Sequence, residues 1–310
     1  MTIIVRDLRP GVRADAEGFV RARHRALPYL LSTPDSLLHE LAHTHPDAHV
    51  RMLVAEEDGE IIGTAQVRVA HDSPEPGLGS VNVYVDPART RRGAGTLLAR
   101  AGEEHLAAHG VTRVFTWVLD EPAHRAHAER RGYRPSRSAH FLRLDLTHAD
   151  LPPLPSALPP GVELRTAADY ADDPRPLFRL DAETVLDEPG DISAEFTDYD
   201  AWIEENWKHP LVDLELTSVA VVDGRPAAFT VAHTDGVTRY LSGMTGAVRA
   251  YRGRGLAKLV KNYSLRRARE AGYSEAYTGN DTDNGPMLAI NKWFGYEVRA
   301  TEVRHVRELG

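Results

Sequence analysis

The clearest chemical signal in the sequence is a short glycine-rich segment in the second half of the chain. Residues 252–257 read RGRGLA and lie between a predicted strand and a predicted helix. Glycines at such a turn let successive backbone N–H groups converge on an anion at the N-terminus of the helix. We therefore predict that this loop binds a pyrophosphate group.

Two common phosphate-binding motifs do not fit this segment. A P-loop ends in glycine, lysine and serine or threonine, whereas Gly255 is followed by leucine and alanine before Lys258. The dinucleotide fingerprint needs a third glycine at the position of Lys258. The segment therefore predicts neither a nucleotide hydrolase nor a dehydrogenase, and a glycine-bearing turn that merely starts a helix is the alternative.

A second motif suggests metal chemistry. Residues 39–43 read HELAH, which matches the HExxH pattern of zinc hydrolases, with Glu40 as general base and His49 where longer patterns place a third histidine. Pro46 stands where the longer pattern requires glycine. We expect an amphipathic helix with surface histidines and no metal site, and we keep a zinc hydrolase as the less favoured alternative.

The composition narrows the possible chemistry. The 310 residues include 37 basic and 45 acidic side chains, a net charge of −8 that does not favour non-specific binding to nucleic acid or anionic lipid. The sequence contains no cysteine, which excludes disulfides, thiolate-bound metals and a thioester on the protein. The N-terminus does not resemble a secretory signal, and no apolar run approaches the roughly 18 residues of a membrane span. We expect a cytoplasmic protein without nucleic-acid or membrane partners.

The chain divides at a proline-rich segment. Residues 147–161 read THADLPPLPSALPPG, a composition that disfavours helix interiors and sheet ladders. On either side, four landmarks recur in the same order at offsets between 159 and 165 residues, among them the Asp-Gly turns at 58–59 and 223–224. We predict two repeats, a degenerate one at 1–147 and a probable catalytic one at 161–310, with a linker at 148–160.

The elements that position the glycine loop are clearest in the second repeat. Alternating and helical apolar spacing predicts strands at 162–164, 217–222, 227–233, 238–248 and 275–278, and helices at 176–186, 199–207, 255–271 and 285–293. This order of strands and helices predicts a mixed α/β sheet.

The second repeat also resembles a known family. The string TGAVRAYRGRGLAKLVK at 245–261 is similar to the acyl-CoA pyrophosphate loop of the GNAT superfamily of N-acyltransferases, and the asparagines near the chain end and the FGY at 294–296 are similar too. The resemblance implies an α/β fold of two tandem GNAT-like domains, each a mixed, mostly antiparallel sheet flanked by helices, and acetyl-CoA as cosubstrate. The residues that it implies at the cofactor are Ala247, Val248, Arg252, Gly253, Arg254, Gly255, Leu256, Ala257, Asn280, Asn284 and Asn291.

Some positions depart from the family pattern. Many members resemble one another in a tyrosine four residues before the closing glycine, a general acid for the leaving thiolate, but that position here is Asn291, a poor proton source. In the first repeat the same position is Ala128, Thr90 replaces the first arginine of the loop, and Glu121 replaces Asn284. We therefore predict that the second repeat is catalytic and that the first is structural, substrate-shaping or a non-productive cofactor binder.

The resemblance implies direct attack of an amine on the thioester in a ternary complex, with backbone donors polarising the carbonyl. An ammonium substrate must first lose a proton, and the candidate bases are Glu188 and His233, with Ser242 as a water-positioning group. The acceptor is predicted to be a small-molecule or peptide amine, and the oligomeric state stays open. A non-catalytic acyl-CoA sensor is the main alternative.

Overall fold

The computed structural model describes residues 2–192 and 195–309. Their internal contacts divide them into two compact units. Unit 1 comprises the residues up to Ala139 together with those from Ala300 onward, and unit 2 comprises His140–Arg299. Within the described residues, no helix is both long and apolar enough to cross a membrane.

Unit 1 contains a sheet with helices packed against it. Its elements are β1 (Ile3–Asp7), α1 (Arg13–Ala26), α2 (Pro34–His43), β2 (Arg51–Glu57), β3 (Glu60–Val69), β4 (Leu78–Val85), α3 (Ala94–Ala108), β5 (Arg113–Leu119), α4 (Pro122–Arg130) and the first half of β6 (Arg134–Asp145). The strands from β1 to β4 pair antiparallel in chain order, and β4 pairs parallel with β5.

Unit 2 has the same plan. Its elements are the second half of β6, then β7 (Val162–Thr166), α5 (Arg175–Val185), α6 (Tyr199–Trp202) with a π-helical turn at Ile203–Trp207, β8 (Ser218–Val222), β9 (Arg225–Thr234), β10 (Arg239–Ala247), α7 (Leu256–Glu270), β11 (Glu275–Asp281), α8 (Gly285–Trp293) and the start of β12 (Glu297–Glu308). Strands β7 to β10 pair antiparallel in chain order, and β10 pairs parallel with β11. The predicted mixed, mostly antiparallel sheets flanked by helices are confirmed.

The two Asp-Gly turns form the predicted hairpins between β2 and β3 and between β8 and β9. Both residues of each turn have positive φ, at 51° and 80° for Asp58 and Gly59 and at 49° and 80° for Asp223 and Gly224. Such angles match the right-handed twist of the strands that the turn connects, which is why Asp-Gly is favoured there. The second hairpin places β8 next to β9, and β9 pairs in turn with β10, the strand that precedes the glycine loop.

The last strand of each repeat completes the sheet of the other unit. Residues 302–308 of β12 pair antiparallel with β5 in unit 1, and the part of β6 beyond Ala139 lies beside β11 in unit 2. The backbone N–H of Leu146 donates to Ser274 at 2.8 Å, and Arg143 forms an ion pair with Glu275 at 2.6 Å. β12 was not among the strands predicted from the sequence. The repeat boundaries at 147 and 161 stay predictions, because a sequence repeat and a compact unit are defined differently.

Unit 2 contains a fully buried lysine. Lys261 on α7 has no exposed surface, its ammonium nitrogen lies 5.1 Å from the centre of the Tyr296 ring, and that nitrogen has no hydrogen-bond partner among the described residues. Burial disfavours the charged form and lowers the pKa of Lys261 from its ordinary 10.5 to about 7.

Replacing Lys261 with methionine is expected to stabilise the protein near neutral pH. The unfolded chain binds one more proton at this residue than the folded chain between pH 7 and 10.5, so wild-type stability should rise with pH across that window. The slope contributed by one such group is about 1.4 kcal/mol per pH unit. Denaturant unfolding of both proteins at several pH values measures the difference, and an identical pH dependence in wild type and variant would contradict a neutral buried Lys261.

Candidate active site

Strand β10 contains a bulge, and it separates from β11 beyond a short parallel pairing. The register between β9 and β10 shifts between Ser242 and Thr245. β10 and β11 pair in parallel over Arg239–Leu241 and Glu275–Tyr277. Beyond these residues, the described parts of the two strands form no further residue pairs. The hydroxyl of Thr278 donates to the Ser242 carbonyl at 3.2 Å across this opening. The splayed strands therefore leave the second half of β10 with an unpaired edge.

Ala247 directs its backbone toward that edge. The N–H of Val248 donates to the Ala227 carbonyl at 2.9 Å, which makes Val248 a hydrogen-bonded partner of the hairpin strand. Because backbone groups alternate between the two sides of an antiparallel strand, those of Ala247 point away from β9. The Ala247 carbonyl accepts from Arg252 Nε at 3.0 Å. Both residues were expected at the cofactor through their backbone, but only Ala247 presents its N–H to the gap, because the N–H of Val248 is already bonded.

The glycine loop has the backbone expected of an anion-binding turn. Gly253 and Gly255 have φ values of 76° and 77°, the left-handed region that glycine adopts without steric cost. Gly255 is the N-cap of α7, which begins at Leu256. The unsatisfied N–H groups of the first helical turn and the helix dipole therefore meet at this loop.

An acidic residue that sequence reasoning missed is bonded to the arginines around the loop. Asp187, which follows α5, accepts hydrogen bonds from Arg249, at 2.5 Å, and from Arg252. These bonds lower the pKa of Asp187 to about 2. Arg252 therefore connects the end of α5 to the loop, and Asp187 competes for the guanidinium that was predicted to bind pyrophosphate. Asp187 gave no signal in the sequence because its partners lie more than sixty residues away.

The three predicted asparagines have different surroundings. The side chain of Asn284 caps α8, accepting from the Met287 N–H at 3.3 Å, as the simpler interpretation of that residue requires. Asn291 is fully buried and donates to the side-chain oxygen of Asn280. Contacts between these asparagines and a cofactor stay predictions.

The predicted catalytic residues lie on opposite faces of the sheet. His233 pairs with Leu241 and Ala232 pairs with Ser242, and paired residues on neighbouring strands project to the same face. Ser242 is buried toward α7, where the hydroxyl of Tyr240 bonds both Ser242, at 3.4 Å, and Ser264, at 2.7 Å. The structure therefore does not bring Ser242 and His233 together.

His233 lies at the bulge on the face covered by α5. Its ring contacts Gly243, since a Cβ at that glycine would stand 2.7 Å from the imidazole. Its Nδ1 is buried without a hydrogen-bond partner in the described part of the chain. Burial lowers the pKa of His233 to about 4, and His209, whose ring centre is 6.1 Å away, adds to the effect. His233 is therefore neutral at physiological pH, and the same lowered pKa makes its imidazole a weak base.

The same face carries a second buried acid that the sequence did not reveal. Asp181 belongs to the sheet-facing stripe of α5, one turn from Thr184, which packs against Gly246 on β10. Its carboxylate accepts from the indole N–H of Trp202 at 2.8 Å. Burial raises the pKa of Asp181 to about 6, and Glu188, which is exposed after α5, raises it further. The face thus combines a neutral imidazole with carboxyl groups, a suitable environment for a cationic amine.

Unit 1 has a loop and an opening like those of unit 2 but no bulge. Arg91 and Gly93 have φ values of 64° and 95°, matching the two left-handed positions of the other loop. The parallel pairing of β4 with β5 spans only three residues, as that of β10 with β11 does. However, β4 pairs with β3 without a register shift from Val69 to Gly63. One side chain crosses each opening, since Asn82 accepts the Trp117 N–H at 2.9 Å in unit 1 and Thr278 donates to the Ser242 carbonyl in unit 2.

The HELAH residues lie on α2 and engage other groups. The rings of His39 and His43 stack at 4.1 Å, and Glu40 accepts a hydrogen bond from Gln66. His49 lies against His109 at 4.0 Å between ring centres. Within residues 2–192 and 195–309, no group of three or more histidine or acidic side chains is arranged to hold a metal ion.

Replacing His39 and His43 together with glutamine is expected to leave the fold unchanged and to leave the rate of the expected acyl transfer within about twofold of wild type. Glutamine is compatible with a helix, and aminolysis of a thioester does not require a metal-bound hydroxide. Metal analysis of the purified protein and an activity assay measure the effect. Stoichiometric zinc that is lost in the double variant together with activity would contradict this expectation.

The family comparison points to acetyl transfer. The model of the acetyltransferase (GNAT) family matches residues 19–133 and 177–296. A mycothiol acetyltransferase of Nocardia farcinica is 33% identical over 249 residues, which cover 78% of this chain and 77% of that protein. A mycothiol acetyltransferase of Clavibacter sepedonicus is 30% identical over 260 residues, which cover 83% of this chain and 80% of that protein.

Two solved structures share the fold. A tandem GNAT protein from the clavulanic acid biosynthesis pathway superposes with a TM-score of 0.73 at 20% identity, covering 100% of this chain and 99% of that chain. An N-acetyltransferase of Sphaerobacter thermophilus gives a TM-score of 0.69 at 22% identity, covering 99% of this chain and 95% of that chain. At these identities the likeness establishes the fold alone.

Proposed function

The chain belongs to the GNAT family of acetyltransferases, and from that premise we propose that unit 2 transfers an acetyl group from acetyl-CoA to an amine. The edge of β10 where this strand separates from β11 supports the proposal, because this edge lies next to a loop with the backbone expected of an anion-binding turn. The loop at 252–257 would hold the pyrophosphate, and the N–H of Ala247 would bond the pantetheine arm. A thioester at the bulge would then lie within the layer of the sheet, between the side chains that project to its two faces.

The acceptor amine would approach from the face covered by α5. Asp181 and Glu188 would attract an ammonium group, and His233 would accept its proton, directly or through a water molecule. The free amine would then attack the thioester carbonyl, polarised by backbone N–H groups, and the thiolate would leave. Because the sequence contains no cysteine, this transfer would proceed without an acyl-protein thioester.

We propose that unit 1 does not catalyse transfer. Its β4 has no bulge, Asn82 spans the gap, and Arg92 of its loop pairs with Glu57 at 2.9 Å rather than facing an incoming anion. Its loop backbone is nevertheless shaped to bind an anion, so that a non-productive cofactor site fits the geometry better than a purely structural role.

The names of two relatives suggest which acceptor to test first. Because two relatives are named mycothiol acetyltransferases, the acceptor of those enzymes is the first amine to test, followed by amino sugars, polyamines and peptide N-termini. The measurement is amine-dependent thiol release from acetyl-CoA by the full chain, with mass spectrometry of the product. Binding of acetyl-CoA without transfer to any amine would favour the acyl-CoA sensor, and thiol release that needs no amine would favour a thioester hydrolase.

A further inference from the structure

Two buried polar side chains of unit 2 are not used by the transfer as proposed above. Lys261 of α7 is fully buried, and its ammonium nitrogen lies 5.1 Å from the centre of the Tyr296 ring. Tyr296 directly precedes β12 and is buried as well. Within the described residues, neither the Lys261 nitrogen nor the Tyr296 hydroxyl has a hydrogen-bond partner. Unsatisfied buried polar atoms destabilise a fold, so that two on neighbouring side chains call for a functional explanation.

The two side chains lie beside the opening between β10 and β11. Burial raises the pKa of Tyr296, and the hydroxyls of Tyr240 and Ser242 also influence this pKa, which places the three hydroxyls close together. The Ser242 carbonyl accepts from Thr278 at 3.2 Å across the opening. Lys261 and Tyr296 therefore approach, from the face covered by α7, the place where the thioester would lie.

The departing sulfur needs a proton donor on this face. The proposed base His233 lies on the face covered by α5, so the amine would attack from there and leave the α7 face for the sulfur. Position 291, where many family members resemble one another in a tyrosine, does not provide the proton. Asn291 is fully buried, its amide donates to Asn280, and an amide is a poor proton source.

The first repeat supplies an internal comparison. With the two glycine loops aligned, the position of Lys261 is Ala99. With the closing glycines aligned, the position of Tyr296 is Tyr133, whose hydroxyl donates to Glu103 at 2.9 Å. The buried lysine and the unsatisfied tyrosine hydroxyl thus occur in the unit that we propose to be catalytic, and the other unit has an alanine and a satisfied tyrosine.

From this arrangement, and resting on the proposed function, we propose that the ammonium group of Lys261 is the general acid of unit 2 and protonates the sulfur of the departing CoA. As the amine nitrogen bonds to the acetyl carbon, the C–S bond breaks and its electron pair goes to sulfur. Lys261 gives one proton to this sulfur and becomes neutral, while the proton of the amine goes to the base on the α5 face. Lys261 regains its proton from water when the products leave.

The ionisation of the buried cluster suits this role. Burial lowers the pKa of Lys261 to about 7, and no charged side chain among the described residues adds to this shift. A thiol has an ordinary pKa of about 8.5, so that proton transfer from Lys261 to a thiolate is favourable. Burial raises the pKa of Tyr240 to about 12, with a further contribution from Asp213, and also raises that of Tyr296. Both tyrosines therefore stay neutral while Lys261 titrates.

The test compares kcat of the wild type and of Lys261→Met between pH 6 and pH 9. The ratio of the two rates cancels the ionisations that both proteins share, such as those of the amine and of His233. We expect a ratio of about 100 at pH 6, the lower end of the contribution of a general acid. The ratio should fall toward 1 at about pH 9 as Lys261 loses its proton. Lys292→Met removes an exposed lysine of α8 and is the matched control, expected to keep the wild-type rate at every pH.

A ratio that is independent of pH, or a wild-type rate of Lys261→Met at pH 6, would overturn the proposal. So would a normal rate in Lys261→Met combined with a large loss in Tyr296→Phe, because the tyrosine would then be the acid. Circular dichroism and denaturant unfolding confirm that each variant is folded.

If the wild type acetylates no amine, the proposed function fails, and binding tests the position of Lys261 by itself. Calorimetry at pH 7 compares CoA with desulfo-CoA, which lacks the sulfur atom. The preference for CoA should fall about tenfold in Lys261→Met, the effect of one charge-assisted hydrogen bond to sulfur. An unchanged preference, or no binding of CoA to the wild type, would overturn the proposal.

Discussion

Replacing Gly255 with valine is expected to abolish detectable binding of acetyl-CoA to unit 2 and to reduce acetyl transfer at least 100-fold. A Cβ at Gly255 would meet no atom within 4 Å, so the effect does not come from a clash with neighbouring side chains. It comes from φ, which is 77° and disfavours a β-branched residue by on the order of 1–3 kcal/mol. The loop would relax and its N–H groups would no longer converge on one anion.

Gly93 provides a matched control for this experiment. It has a φ of 95°, it is the N-cap of α3, and its Cβ would also meet no atom within 4 Å. Gly93→Val therefore imposes a similar strain in unit 1, yet it should retain most of the turnover of wild type. Calorimetry with acetyl-CoA and a transfer assay compare the two variants. If Gly93→Val lost its turnover while unit 2 still bound the cofactor, the proposal that only unit 2 is catalytic would be contradicted. If Gly255→Val kept its affinity for acetyl-CoA, the assignment of the loop at 252–257 to the pyrophosphate would be contradicted.

Replacing His233 with alanine is expected to lower kcat about 100-fold at pH 7, the lower end of the contribution of a general base. The affinity for acetyl-CoA should stay within about twofold, because the imidazole faces α5 and not the loop. A base must be unprotonated to act, and the pKa of His233 is lowered to about 4, so its protonation should reduce kcat/KM only below about pH 5.

The control for His233 is His148→Ala, since His148 is an exposed histidine of unit 2 that pairs with Asp145 near the linker. Steady-state rates between pH 4.5 and 9 and calorimetry with acetyl-CoA separate catalysis from binding. A His233 variant with wild-type kcat would exclude this residue as the base and leave Glu188 and the newly recognised Asp181 as the candidates. An equal loss in the His148 variant would show that the effect is not specific to the bulge.

Local features of the fold were predictable from the sequence. The Asp-Gly hairpins, the helix that starts after Gly255 and the helix at 285–293 all follow from short-range turn and periodicity rules, and all are confirmed. The GNAT resemblance rests on the same kind of signal, because a phosphate loop needs its glycines at fixed spacing. The family and the tandem arrangement are confirmed by the matches to both halves of the chain.

What the sequence did not reveal depends on register and on distant partners. Ser242 lies on β10 and His233 lies nine residues before it in the sequence, but strand pairing directs the two side chains to opposite faces. Asp181 looks like an ordinary helical acid until its burial against Trp202 is known. Likewise, β12 reads EVRATEVRHVRE, in which the apolar residues follow no strict alternation, and its role is set by β5, a strand of the other repeat.

The exchange of final strands gives the first repeat a physical reason to persist without catalytic features. A fragment cut at the linker would take β12 with the second repeat but leave behind β6, which covers the outer edge of β11. That edge would expose unpaired N–H and C=O groups, an arrangement that promotes aggregation. The second repeat is therefore expected to depend on a strand of the first for its complete sheet, even if all of the chemistry belongs to one of them.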